Sequence, residues 1–275
     1  MLPQTDAQFL RQVAYHDAHD LDIRNDILEQ YRTHNRLNWY EWLWKQFSWP
    51  ENSTILDLGC GPADLWVKNR GRLSAGWQIY LSDFSAGMIY EARKRLHLGS
   101  RLRSGGATFH FAVLDSTRLP FLPGISDAIL ALGLLDHMDD PEQGLKEIQR
   151  VLKPGGKFYA SAGGRNHLQE IENLVSPFLP AVNFGGDPHR FGLDNGAKLL
   201  SPYFATLDLH CYHDELIFSE AEPLIAFVLS EAEVRAQLTG DDRIAWQRFI
   251  EQRLKHEGEI RVTTEKGIFS GRAKL

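Results

Sequence analysis

The residues with the clearest chemical meaning lie between positions 55 and 63, where Ile55-Leu56-Asp57-Leu58 runs into Gly59-Cys60-Gly61-Pro62-Ala63. An apolar run ending in Asp-x-Gly-x-Gly reads as a strand that turns into a helix. Glycines are needed there because the backbone must turn sharply or approach a ligand with no Cβ in the way. One meaning of such a loop is the dinucleotide fingerprint Gly-x-Gly-x-x-Gly. That pattern needs Gly or Ala where this chain has Asp64, and it has no acid shortly before its first glycine. A nicotinamide cofactor is therefore disfavoured.

At these residues the sequence resembles the class I S-adenosylmethionine-dependent methyltransferases, and the resemblance continues in order along the chain. It implies that the glycine loop passes under the methionine and ribose portions of the cofactor, which gives that role to Asp57, Gly59, Cys60 and Gly61. Leu81-Ser82-Asp83-Phe84-Ser85 then puts an acid at the end of a second strand. A carboxylate so placed can accept both ribose hydroxyls in charge-assisted hydrogen bonds. Phe84 and Met88 form an apolar pair able to sandwich an adenine ring. Val113-Leu114-Asp115-Ser116 resembles the family's third-strand motif, whose acid recognises the adenine amino group, and backbone around Leu132 and Gly133 would line the methionine end. The departure from the fullest glycine pattern is Ala63, the next smallest side chain. Similarity extends through Asn166-His167-Leu168, the segment 191–196 and Gly267-Ile268-Phe269 to bacterial methyltransferases acting on small molecules or peptide natural products.

A sulfonium already carries a good leaving group, so the protein's main task is to hold nucleophile, methyl carbon and sulfur in line. Orientation and desolvation can supply roughly 7 to 11 kcal/mol without a covalent intermediate. This matches a sequence with many cofactor signals and no obvious catalytic triad. A base helps when the acceptor is a hydroxyl or a protonated amine, and His137, just past the fourth strand, is the candidate. Tyr15, His16, Asn166 and His167 are further candidates for the substrate pocket, although taken one by one each is better explained as exposed loop polarity. Trp39, with Trp42 and Trp44, would either line an aromatic lid over the acceptor or pack a helix against the sheet.

The elements that must position these groups follow from hydrophobic periodicity. Residues 21–31 and 37–47 have helical apolar spacing and precede the core. From residue 53 short apolar runs alternate with helical stretches, the mark of a parallel sheet with crossover helices. Strands are expected at 54–57, 78–81, 108–113, 127–132 and 156–160, with helices at 85–97 and 141–152, the latter stopped by a Lys153-Pro154-Gly155-Gly156 turn. Beyond lie a helix at 166–175, a Pro/Gly-rich loop over 178–192, a strand at 204–212, helices at 222–237 and 241–256, and a last strand at 268–274. The expected fold is α/β: a doubly wound, seven-stranded Rossmann-like sheet whose last strand, as the resemblance implies, is antiparallel. Residues 1–52 form an N-terminal helical cap segment, and 53–275 form the S-adenosylmethionine-binding domain with a helical insertion at about 213–258.

Composition narrows the partners. The 275 residues are 43% hydrophobic and carry a net charge of −6, which disfavours a nucleic-acid partner because phosphate backbones are met with surplus Lys and Arg. The Asn/Asp-Pro-Pro-aromatic motif of base-amino methyltransferases is also missing after the fourth strand. No leader pattern opens the chain and no apolar stretch could span a bilayer, so a cytoplasmic protein with no membrane association is expected. Cys60 and Cys211 make neither a disulfide framework nor a metal site. The expected function is methylation of oxygen or nitrogen on a small-molecule acceptor, with S-adenosyl-L-methionine as cofactor. The alternatives are an RNA or DNA methyltransferase and a non-catalytic cofactor-binding protein.

Overall fold

The apolar runs become strands that are buried on both faces, as parallel sheets covered by helices require. In the computed structural model, which describes residues 13–98, 106–180, 184 and 186–274, β1 (Thr54–Leu58) has four buried positions in succession. It is flanked by β2 (Gln78–Asp83) and β4 (Ser126–Leu132), with β3 (Thr108–Val113) outside β2 and β5 (Leu152–Gly163) beyond β4. These five strands are parallel. β6 (Phe204–Phe218) and β7 (Ile260–Ala273) complete a sheet of order β3-β2-β1-β4-β5-β7-β6, in which β7 runs antiparallel to both neighbours. The winding direction reverses between β1 and β4, and open α/β sheets bind ligands at such a switch, beyond the carboxyl ends of the strands.

The helices α1 (His19–Tyr31) and α2 (Trp39–Gln46) precede the sheet, and α2 begins with a capping box between Asn38 and Glu41. The first crossover carries α3 (Asp64–Lys68), the second α4 (Ala86–Leu98), and α5 (Pro141–Val151) joins β4 to β5. After β5 come α6 (Gln169–Val175) and α7 (Gly196–Leu200). Between β6 and β7 lie α8 (Ala221–Leu229), α9 (Ala232–Gln237) and α10 (Gly240–Glu257). These last three share a separate apolar core with α6 and the far ends of β6 and β7, built on Trp246, Phe218, Phe227 and Val262.

Several expected boundaries move. Residues 153–156 are not a turn ahead of β5 but an outward bulge within it: Leu152 pairs with Ser126, Lys157 resumes with Ala128, and Gly155 has φ of 73°. The Lys153 ammonium anchors the bulge 2.7 Å from Asp127 Oδ1. The helical insertion starts later than residue 213, because β6 continues to Phe218 and pairs with β7 from Ile260. Tyr212, Asp214, Leu216 and Phe218 are the buried members of that alternation, and the acid among them hides its period of two. The single helix expected over 222–237 is broken at Ser230-Glu231, where Arg24 donates to the Ser230 carbonyl at 2.8 Å and pairs with Glu231 at 3.3 Å. The leader expectation falls largely on residues 1–12, outside the described residues. Among the described residues no helix is long and apolar enough to cross a membrane.

Candidate active site

A cavity of about 620 Å³ opens over the carboxyl ends of β1, β2, β4 and β5, within the range of small-molecule sites. Its floor is the glycine loop. Gly59 and Gly61 have φ of 68° and 53°, and Ala63 also takes the left-handed conformation at 67°. A Cβ on Gly59 would stand 3.0 Å from Leu134 Cδ1, so the loop passes as close to the β4 exit as a glycine permits.

Asp83 ends β2 with its carboxyl held by backbone donors: Gly61 N–H reaches Oδ2 at 3.0 Å, Ser85 N–H reaches Oδ1 at 2.8 Å, and the Phe84 N–H bonds it as well. Asp83 lines the cavity, and a carboxylate with about four acceptor sites keeps capacity beyond these bonds for a ligand hydroxyl. Burial raises its pKa, against the opposing pull of those backbone bonds. Asp57 is deeper, 2% exposed, and accepts the Trp66 indole N–H at 2.7 Å. Burial pushes the Asp57 carboxyl up to about 7, with a smaller push from Asp83, while the indole bond pulls the other way. The Cys60 thiol is likewise pushed well up by burial, so it is a packing group rather than a nucleophile.

Phe84, Met88, Asp115, Ser116 and Leu132 all line the same cavity, and Asp115 Oδ1 accepts the Thr117 N–H at 2.8 Å and its hydroxyl at 2.7 Å. A glycine floor, a strand-end acid, an apolar pair and a second acid thus fit an adenosyl cofactor in one continuous space. The residues that would hold S-adenosylmethionine are those of the loop 59–61, Asp83 and Asp115.

The opposite end of the cavity is roofed by α1 and by the break between α8 and α9. Here the Tyr15 hydroxyl lies 3.4 Å from His137 Nε2, and their rings meet edge to face at 5.9 Å. Asp136 Oδ2 is 3.8 Å from the same nitrogen. Among the described residues, Asp136 Oδ1 and His137 Nδ1 are buried without a hydrogen-bond partner. Burial pushes the Tyr15 phenol well above its ordinary value, so it is a protonated donor. His167 and Trp39 also line the cavity.

His16 and Asn166 do not line it. His16 is exposed and turns to Asp17 at 3.7 Å, while Asn166 is exposed with its backbone N–H on Glu265 Oε2 at 3.2 Å. Trp39 stacks on Trp42 at 5.4 Å, and Trp44 sits among Phe47, Trp49, Trp66 and Trp77, so packing accounts for Trp42 and Trp44. Arg24, Asp136, Glu231 and Lys266 also line the site and were not among the expected residues. Their signal is long-range: Lys266 reaches the cavity because β7 places it opposite Gly163 at the end of β5.

Residues 56–160 match the family model described as a methyltransferase domain. A ubiquinone/menaquinone biosynthesis C-methyltransferase, UbiE, of Chromobacterium violaceum is 27% identical over 154 residues, covering 53% of this chain and 57% of that one. The chain spans about half the length of the curated relatives it matches. Among solved structures, a phosphoethanolamine N-methyltransferase of Haemonchus contortus, in complex with S-adenosylhomocysteine, superposes with a TM-score of 0.56 at 16% identity, covering 100% of this chain and 61% of that one. The [4+2]-cyclase SpnF does so with a TM-score of 0.56 at 17% identity, covering 98% and 97%. One fold therefore carries different reactions, and the reaction has to be argued from the site. What the domain match does establish is a methyltransferase domain over residues 56–160, set in a sheet whose order, with its one reversed strand, is the one expected above from the resemblance to class I S-adenosylmethionine-dependent methyltransferases.

Proposed function

We propose that the protein methylates an oxygen or nitrogen of a small molecule, with His137 taking the acceptor's proton. The observation that carries this reading is the meeting of Tyr15 and His137 at 3.4 Å inside the cavity. Bound over the glycine loop, S-adenosylmethionine supplies an electrophilic methyl group on a sulfonium. The chain's own residues do the rest. Tyr15 orients the imidazole by its hydroxyl and its edge-to-face contact, and Asp136 Oδ2 stands 3.8 Å from the same nitrogen. Residues of α1, α8 and α9 cover this end of the cavity, which supports a small acceptor over a polymer.

The UbiE relatives, described as C-methyltransferases of ubiquinone/menaquinone biosynthesis, favour a second reading, transfer to a carbon. An isotope-labelled methyl donor separates the two. Incubation with a metabolite extract should give a product whose labelled methyl is bound to oxygen or nitrogen by its NMR shift. A carbon-bound methyl would replace the first reading with the second, and cofactor binding without any labelled product would leave a binding protein. His137→Ala should lower turnover by about 100-fold or more, with cofactor affinity preserved.

A further inference from the structure

We infer that Lys266 and His167 form a two-donor site for a carboxylate at the roofed end of the cavity. The argument begins with the cations. Arg24 and Lys266 are the Lys and Arg side chains that line this cavity among the described residues. Arg24 is committed to Glu231 at 3.3 Å and to the Ser230 carbonyl at 2.8 Å. Lys266 has no carboxyl within ion-pair distance among the described residues, and its ammonium lies 5.2 Å from the centre of the Trp39 ring.

The nearby acids are already occupied. Asp214 is engaged by the backbone N–H groups of Thr33, His34, Asn35 and Glu215 and by the Tyr212 hydroxyl. Glu265 Oε2 accepts the Asn166 N–H. Burial pushes the Lys266 ammonium down to about 8, with Asp214 opposing, so it is mostly charged at neutral pH but incompletely neutralised.

His167 supplies the second donor. Its Nδ1 faces the Glu265 N–H at 3.2 Å and must accept that bond, which leaves the ring proton on Nε2. Burial, with the neighbouring Lys266 charge, holds this imidazole well below its ordinary pKa and hence neutral. An ammonium and a neutral imidazole N–H beside an aromatic face suit a flat carboxylate, whose two oxygens accept charge-assisted bonds.

Two carboxylates could occupy the site, one on the acceptor and one on the methionine end of the cofactor. The first source rests on the methyl-transfer reading, but the test uses binding alone and is independent of turnover. Calorimetry would follow benzoate and benzamide titrated into protein saturated with S-adenosylhomocysteine, and S-adenosylhomocysteine and methylthioadenosine titrated into apoprotein. Benzoate binding that benzamide does not share, weakened about 10-fold or more in Lys266→Met and less in His167→Ala, assigns the site to the acceptor. A similar loss of S-adenosylhomocysteine affinity in Lys266→Met, with methylthioadenosine unchanged, assigns it to the cofactor. No benzoate binding by the wild type, together with unchanged S-adenosylhomocysteine affinity in folded Lys266→Met and Lys266→Gln, overturns the proposal.

Discussion

Asp57 is the residue whose ionisation bears most directly on the glycine loop. Its carboxyl titrates near 7 in the folded chain because burial penalises the charged form. The native state therefore holds a proton that the unfolded chain has released, and the stability this group contributes is present at low pH and lost as pH rises from about 4 through 7. Asp57→Asn keeps an acceptor for the Trp66 indole and removes the titration. The melting temperature of the variant minus that of wild-type apoprotein should climb across this window and level off above it; a difference that stays flat would mean Asp57 is ionised throughout. Tyr15→Phe keeps the aromatic contact with His137 and loses the hydroxyl, so turnover should fall while cofactor affinity holds. An equal loss of affinity would place Tyr15 on the cofactor instead. The glycines and Asp83 were legible in the sequence because a strand end beside a cofactor demands those residue types. Trp66 and Lys266 were not, since each acquires its meaning from a partner that only the folded sheet brings near.

Helix α1 carries the roof, and ion pairs fix it on two sides. Arg95 joins Asp22 at 2.6 Å to Asp64 at 2.9 Å on the core side, and Arg235 joins Asp20 at 2.6 Å on the cap side. The segment ahead of it is seated by the Ser85 hydroxyl on the Tyr15 carbonyl at 2.6 Å and by Gly87, where any Cβ would collide with the His16 carbonyl. Gly87→Ala should displace Tyr15 from His137 and reduce turnover about as much as Tyr15→Phe, with little change in melting temperature. Full activity in Gly87→Ala would show that the segment can shift without cost to the site. Strong periodicity made β1 to β4 and α5 legible. The end of α5 and the start of β5 were misplaced because a Pro-Gly-Gly run suits a bulge as well as a turn. The break between α8 and α9 was hidden because its partner, Arg24, lies some two hundred residues away in sequence.

For the molecule as a whole, a ligand that binds only the folded state stabilises it by mass action. S-adenosylhomocysteine at a hundred times its Kd should contribute about 2.7 kcal/mol, a rise of about 5 °C or more in melting temperature. NAD at the same concentration should give no rise, and the reverse result would contradict the reading of the loop. The order of the sheet has a consequence for how the chain is made. β7 is the latest strand in sequence, yet it lies between β5 and β6. During synthesis β1 to β5 can assemble while the outer edge of β5 waits, with unpaired backbone groups, for residues 260–273 to leave the ribosome. Lys266 arrives only with that strand, so a nascent chain with a complete glycine loop still lacks one wall of the pocket. A chain stopped at Gly258 should leave β5 unpaired and prone to aggregate, which the soluble fraction after expression would reveal.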